Sequence, residues 1–408
     1  MAAMLRRKVI RWGLLGFLLF TVVGGAIQSL AWWRNHELAL LSRQCRAARV
    51  NQDWKKLATV AEQWTQQQPD SGEAWVVRAM AAHETGELTL AAEYLENVPD
   101  DYPGAIPALL ELSVLYFEPL RRPTQGVLAC ERILSLNPEI VIAHQRLCHY
   151  FAMTLQRDRL IRQVRESVRQ RAETVDAYSY FVTLPDLIYG DTLERVENWL
   201  EVTPDEPSLI IASALLRTKD DSLKKGNDYE AMMTRELQGL HERFSEDLEI
   251  LTTLLEIVAR EGDVETLGQL LEKSPERSNE DYRMWRIRSQ YSLLTGNLDE
   301  ALRSAEEAIR LYPMDWHSWH HFAGILRRKN KIREADAAQQ TAMYGKDLQA
   351  LLLEMETPRD PPRAVLEGIL EYAVLCRDQF VAANLSRRLG RSYDAKSSGR
   401  ALEMRDKR

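Results

Sequence analysis

Three histidines in one short stretch are the residues of this sequence that most resemble a chemical site. His317 and His321 stand four residues apart in WHSWHH, and His320 lies beside them. On a helix, two histidines at this spacing share a face and can bind one metal ion. The pair lacks a third carboxylate or thiolate ligand at metal-binding spacing, so solvated histidines on an exposed helix are the favoured interpretation.

No established catalytic motif accompanies these histidines. The sequence contains no GxGxxG, no GxxxxGK followed by Ser or Thr, no HExxH, no GxSxG and no EF-hand loop. Its cysteines are scattered without CxxC or Cys/His metal spacing, which favours small buried packing residues over a redox or zinc site. They are Cys45, Cys130, Cys148 and Cys376. We therefore predict a protein that is not an enzyme and that carries no cofactor.

A pattern of 34 residues repeats along the chain, and it determines the fold prediction. The unit that begins at Tyr282 contains a large aromatic residue, a turn glycine, three alanines and a closing proline: Trp285, Gly296, Ala301, Ala305, Ala308 and Pro313. Glycine permits a tight turn between antiparallel helices, alanine lets the two helices approach closely, and proline ends the second helix. Each unit is therefore predicted to be a helix-turn-helix pair.

Two more units match this pattern closely. One begins at Gly72 and the other at Trp316, where Asn330 replaces the turn glycine and tolerates the left-handed backbone. Projecting the spacing predicts weaker units from Leu38, Pro107, Val141 and Leu248. Tryptophans recur at one position of the close matches, Trp75, Trp285 and Trp319. Packing between helices is favoured there over a stacking platform for bases or sugars.

This pattern resembles the tetratricopeptide repeat over most of residues 38–345. The resemblance implies an all-α fold, an α-solenoid of stacked helix pairs, and a role in binding proteins. In that family the first helix of each pair lines a concave groove, and the matching positions here are Arg283, Arg286, Gln290, His317, His320, His321, Arg327 and Arg328. The resemblance implies a basic groove suited to an acidic peptide or a C-terminal carboxylate. The carboxylate clamp of the family uses Lys and Asn, however, and ordinary solvated helix faces are the alternative explanation.

The segment that precedes the repeats predicts a membrane anchor. From Trp12 to Trp33 the sequence has 22 uncharged residues, and a helix of that length spans about 33 Å, enough to cross the hydrocarbon. Trp12, Trp32 and Trp33 lie at its edges, where aromatic rings favour the interface. Three topologies are open: an uncleaved signal anchor with a cytoplasmic N-terminus and an exported body, a cleaved signal peptide with a secreted or periplasmic body, and a body in the cytosol.

The predicted organisation combines this anchor with the repeats. The segments are a basic flank 1–11, a transmembrane signal anchor 12–33, tetratricopeptide-like repeats 38–171, degenerate helical repeats 172–247, further repeats 248–345, C-terminal capping helices 346–391 and a polar tail 392–408. In the degenerate region Pro185 interrupts a helix, and residues 220–230 read as an acidic loop. Polar residues converging from about 173–245 would indicate a ligand pocket.

Charge limits the class of partner. Residues 1–35 contain five basic residues and no acid, so the net charge of −7 leaves −12 on the rest of the chain. An acidic body argues against nucleic-acid binding. The sequence therefore predicts a membrane-tethered scaffold or adaptor for protein or peptide partners, with acidic ones as candidates. The alternatives are an accessory factor of envelope biogenesis or protein translocation, and a non-catalytic subunit or sensor of an enzyme complex.

Overall fold

The computed structural model describes residues 32–187, 191–219, 229–355 and 360–391, and every regular element in these ranges is a helix. The all-α prediction is thereby confirmed. The predicted flank 1–11, nearly all of the predicted anchor 12–33 and the tail 392–408 lie outside the described residues. Of the helices in the described ranges, none combines the length and the apolar character that crossing a bilayer requires.

The chain divides into two compact units after Leu120. The first unit contains five helices among its described residues: α1 (32–50), α2 (Trp54–Gln67), α3 (Gly72–Glu84), α4 (Leu88–Glu96) and α5 (Ala105–Phe117). Its core joins α1, α2 and α3 through Cys45, Leu57, Ala61 and Ala74, which are at most 1% exposed.

The second unit continues the series of helices. They are α6 (Pro123–Leu136), α7 (Val141–Met153), α8 (Arg157–Arg169), α9 (Tyr180–Thr183), α10 (Thr192–Leu200), α11 (Pro207–Lys219), α12 (Tyr229–Arg243), α13 (Leu248–Glu261), α14 (Val264–Glu272), α15 (Tyr282–Leu294), α16 (Leu298–Leu311), α17 (Trp316–Arg328), α18 (Ile332–Leu353), α19 (Arg363–Leu375) and α20 (Gln379–Arg388). Short 3-10 turns cover Asp176–Tyr178, Leu184–Asp186 and Glu276–Glu280.

The turns inside the helix pairs follow the predicted period. In each unit identified from the sequence, a left-handed residue stands fourteen positions after the predicted start. Glycine fills this position at Gly86, Gly262 and Gly296, and Asn330 fills it with φ of 60°. In three weaker units Gln52, Arg121 and Leu155 adopt the same backbone, with φ of 55°, 51° and 54°. A left-handed conformation costs a residue with a side chain about 1–2 kcal/mol, so the packing of the two helices must supply that energy.

The small residues and the tryptophans of the pattern lie where two helices meet. Ala301, Ala305 and Ala308 are at most 1% exposed, and the four cysteines are buried free thiols. The repeated tryptophans are half-buried, and each donates its indole N–H to the carbonyl six residues before it. For Trp285 the acceptor is the carbonyl of Asn279 at 2.8 Å. The ring therefore ties the start of the first helix to the turn that precedes it.

The degenerate region 172–247 contains helices, but its first part departs from the repeat. Residues 176–186 form α9 between two 3-10 turns, and the side chains of Tyr178, Phe181 and Leu184 are at most 1% exposed. The carbonyl of Phe181 accepts a hydrogen bond of 2.8 Å from the hydroxyl of Tyr312. This segment therefore packs against later helices of the second unit, and it is part of the core.

The C-terminal helices also differ in detail from the predicted segments. Helix α18 runs without interruption through the predicted boundary at 345/346. A Cβ atom at Gly345 would lie 2.3 Å from the hydroxyl oxygen of Tyr372, so glycine is required for the close approach of α19. Helices α19 and α20 then form one more pair, which turns at Arg377 with φ of 61°.

Candidate functional site

A cavity of about 630 Å³ opens in the second unit. Its walls are formed by α11, α12, α13, α15, α17 and the Leu184–Asp186 turn. Of these helices, α13, α15 and α17 are each the first helix of a repeat unit. Cavities of about 300–1,000 Å³ are typical of sites that bind small molecules or short segments. The cavity is therefore the candidate functional site.

Aspartates cap α13, α15 and α17, each of which is the first helix of a repeat unit that faces this cavity. Asp247, Asp281 and Asp315 stand 34 residues apart, and each accepts backbone N–H bonds from the first turn of α13, α15 or α17. An N-cap of this kind satisfies N–H groups that have no partner within the helix. The caps fix where each helix begins, and they thereby place equivalent side chains of successive first helices on the same cavity.

The structure brings five of the eight predicted groove residues together on the cavity wall: Arg283, Arg286, Gln290, His317 and His321. The other three, His320, Arg327 and Arg328, are exposed on α17 and do not line it. Helical periodicity explains part of this division, because residues four apart share a face whereas adjacent residues do not. Peptide binding by these residues stays a prediction.

Buried acids match the charges of two arginines in the wall. Glu249 accepts bonds from Arg157 at 2.5 Å and from Arg283 at 2.6 Å, and Arg283 also contacts Asp281 at 2.7 Å. Burial alone would raise the pKa of Glu249, but the charges of Arg283 and Arg157 hold it below its usual value. This group is a closed network of two cations and two anions, which positions the wall from within the protein.

Two carboxylates likewise balance the charge of Arg286. Its guanidinium contacts the carboxylates of Asp315 and Glu256, both at 2.9 Å. Burial would lower the pKa of Arg286, but these two acids outweigh it and raise the pKa above its ordinary value. A ligand in the cavity therefore meets hydrogen-bonding groups in this wall, with the arginine charges already neutralised.

The two histidines of the cavity have protein partners. Nε2 of His317 lies 2.8 Å from Oδ2 of Asp186, and the amide of Gln349 donates to the same oxygen. Burial would raise the pKa of Asp186, but the hydrogen bond and charge of His317, together with the charge of Lys219, lower it to about 2. Asp186 is therefore an anion throughout the neutral range.

His321 is neutral, and its tautomer follows from its partner. Ser289 donates its hydroxyl hydrogen to the carbonyl of Ala301, so Nε2 of His321 must donate to the Ser289 oxygen, which lies at 2.9 Å. Burial and the charge of Arg286 lower the pKa of His321 to about 4. Within the described ranges no group of three His, Cys, Asp or Glu side chains is arranged to hold a metal ion.

Tyr282 and Lys219 are among the polar groups of the cavity that have no partner in the part of the chain that the structure describes. The hydroxyl of Tyr282 is buried without a hydrogen bond, and the half-buried ammonium of Lys219 has neither a hydrogen bond nor an ion pair. Burial and the nearby charge of Arg157 lower the pKa of Lys219 to about 8. Both groups can donate a hydrogen bond into the cavity.

Sequence reasoning missed Lys219 and Tyr282 as functional candidates. Lys219 lies in the degenerate region, where no period marks it, and Tyr282 is the first residue of a unit. The sequence did predict that polar residues converging from the degenerate region would indicate a ligand pocket. Asp186, Thr218 and Lys219 of that region do line the cavity, so this expectation could have pointed to Lys219.

The geometry of the helix pairs tests the resemblance to the tetratricopeptide repeat. The chain is tetratricopeptide-like. Its helix pairs of 34 residues, with left-handed turns at the predicted positions, confirm the resemblance. No protein-family model matches the sequence, and no curated protein matches it significantly.

Several solved structures are similar to this chain. Three of them are an APC/C hetero-tetramer of Cut9 and Hcn1 (14% identity, 86% of this chain and 78% of that chain covered, TM-score 0.33), a tetratricopeptide repeat protein from Parabacteroides merdae (11%, 71% and 98%, 0.27) and yeast Tom70 (11%, 88% and 89%, 0.31). At these identities and TM-scores they carry no argument about what this chain binds.

Proposed function

We propose that the chain is a non-catalytic scaffold or adaptor that holds a segment of a protein partner on the cavity face of its second unit. One observation carries this proposal: successive first helices direct side chains of α13, α15 and α17 into a single cavity. Stacked repeats use such faces to bind extended segments. Acidic segments are the candidate partners, because Lys219 and Arg260 line the cavity without an ion pair among the described residues.

Charge reversal at Arg260 tests where a partner binds. Arg260 is exposed, so Arg260→Glu should weaken capture of an acidic partner without unfolding the protein. Arg327→Glu is the matched control, because Arg327 is exposed on α17 and lies outside the cavity. The measurement is crosslinking of the full chain at its native membrane, followed by mass spectrometry. Loss of partners from the Arg327 variant alone would place binding elsewhere and would overturn the proposal.

We also propose that residues 12–33 tether the chain to a membrane and that the repeat body is exported. The proposal is supported by the apolar sequence of this segment and its tryptophan edges. Extraction of membranes at alkaline pH should leave the full-length chain in the pellet, with its body accessible to protease only from the exported side. A soluble, shortened chain would instead establish a cleaved signal peptide, and protease access from the cytosol would reverse the orientation.

A role as accessory factor of envelope biogenesis or protein translocation is one form of this scaffold function. A sensor, or a non-catalytic subunit of an enzyme complex, is the second candidate function. It is favoured by the polar residues of the degenerate region that converge on the cavity, Asp186, Thr218 and Lys219. A ligand that changes partner capture when it is added to the purified chain would support the sensor, and an effect that survives Lys219→Met would oppose it.

A further inference from the structure

We infer that the cavity of the second unit binds a small carboxylic acid, whose carboxylate contacts Lys219 and the hydroxyl of Tyr282. This inference goes beyond the capture of a protein partner, and it names a ligand class for the second candidate function. It rests on the contents of the cavity wall and stands independently of the scaffold proposal.

The first observation concerns the hydroxyl of Tyr282, which is buried without a hydrogen bond. Tyr282 is 7% exposed, its ring lies 4.9 Å from that of Tyr312, and its hydroxyl has no partner within the described residues. Almost all buried polar groups in native proteins have a hydrogen-bond partner, because an unsatisfied one is costly. An oxygen atom of a ligand in the cavity would supply the acceptor that this hydroxyl lacks.

The second observation is independent of the first and concerns the charges around the ammonium group of Lys219. Lys219 is faced by Arg157 at the start of α8, by Asp186 in the 3-10 turn, and by Glu249 and Glu256 on α13. These acids contact arginines or His317, and Lys219 alone among the half-buried or buried cations of the described wall has no ion pair. Arg260 also lines the cavity without an ion pair, but it is exposed, so Lys219 is the cation that the half-buried part of the described wall offers to a ligand.

The carboxylates around Lys219 favour a singly charged carboxylate over a phosphate. Asp186 is already ionised, and Glu249 is held as a carboxylate by its arginines. A dianionic phosphate would bring a second negative charge close to these carboxylates, and like charges repel each other. Pro185, Met233 and Ile257 also line the cavity, so an acid with an apolar body fits it.

Binding of hippurate to the full-length chain, measured by calorimetry, tests the inference. Hippurate has one carboxylate and an aromatic body, and hippuramide is its neutral counterpart. We expect hippurate to bind about ten- to a hundredfold more tightly than hippuramide, the difference of a charge-assisted hydrogen bond. Equal binding of the two compounds, tighter binding of inorganic phosphate, or no binding of hippurate would each overturn the inference.

Two variants separate the cavity from nonspecific attraction. Lys219→Met should reduce hippurate affinity by about ten- to a hundredfold and leave hippuramide binding unchanged. Lys331→Met is the matched control, since Lys331 is exposed, pairs with Glu334 and lies outside the cavity. Tyr282→Phe should weaken hippurate binding severalfold without lowering thermal stability, because its hydroxyl has no hydrogen-bond partner to lose among the described residues. Unchanged affinity in both cavity variants would refute the assignment.

The pH dependence of binding tests the role of Lys219 further, because a purely structural role for this residue would not change that dependence. The ammonium form of Lys219 is the form that binds an anion, so hippurate affinity should fall as the pH rises through about 8. A bound carboxylate raises the pKa of Lys219, so binding near pH 8 should take up a proton. Calorimetry in two buffers of different ionisation enthalpy measures this uptake, and its persistence in Lys219→Met would exclude Lys219 as the group.

Discussion

Replacing Glu249 with glutamine should destabilise the second unit strongly. The change keeps the shape of the side chain and removes the anion that Arg157 and Arg283 share at 2.5 and 2.6 Å. Only Asp281 then remains to balance two arginines that are each 6% exposed. Removing one partner of a buried ion pair costs about 3–5 kcal/mol, because it leaves a buried charge without compensation. We expect a loss of that size for Glu249→Gln.

Chemical denaturation, followed by circular dichroism, measures the change in the free energy of unfolding. Hydrogen exchange at α13 and α15 shows whether the loss is in the second unit. Glu131→Gln is the matched control, because Glu131 contacts Arg159 at 3.0 Å on the surface with about half of each side chain exposed. An exposed pair of this kind contributes about 0–1 kcal/mol. A loss below about 1 kcal/mol for Glu249→Gln would refute the network as a source of stability.

The pH dependence of stability gives the same network a second test. The arginines hold the pKa of Glu249 below the value of an unfolded glutamate. The stability that Glu249 contributes is therefore complete above the unfolded pKa, and it is lost as the pH falls through the lowered folded pKa. Acidification should thus destabilise the wild-type chain more than Glu249→Gln. Parallel curves for the two proteins would contradict the assigned ionisation.

Four further results are expected. Trp285→Phe should cost about 1 kcal/mol in a denaturation experiment, since it removes the hydrogen bond to Asn279. Gly296→Ala should cost about 1–2 kcal/mol, because φ is 81° and the added Cβ meets no other atom within 4 Å, so the whole loss is backbone strain. Stability should fall as the pH drops from about 6.5 towards 4, because unfolded histidine binds a proton that His321 does not, and His321→Gln should reduce that slope. Cys45, whose pKa burial and Glu73 raise to about 11, should resist a thiol reagent until the protein unfolds.

Local patterns made the helix pairs predictable. The positions of Trp285, Gly296 and Ala305 relative to one another depend on the geometry of one helix, one turn and the next helix. The same dependence placed the turn at Asn330, where no glycine marks it. Side chains that lie one turn apart share a face, so His317 and His321 could be placed together before the structure was known.

The cavity could not be predicted in the same way, since it joins residues that are distant in sequence. Asp186 and His317 are 131 residues apart, and they meet because the Leu184–Asp186 turn packs against α17 and α18. Glu249 and Arg157 are 92 residues apart. No periodic signal relates such residues, because their contact depends on how non-adjacent helices stack.

The sequence by itself determined the repeat, the all-α class and the faces of the helices, because these follow from backbone sterics and from packing between neighbouring helices. Only the tertiary structure decided which charges are available for binding. It paired Arg283 and Arg286 with acids from adjacent turns and helices, and it left Lys219 without an ion pair within the described residues. The physical reason is that the ionic environment of a side chain depends on every element packed around it, whereas its helical position depends only on its neighbours in the chain.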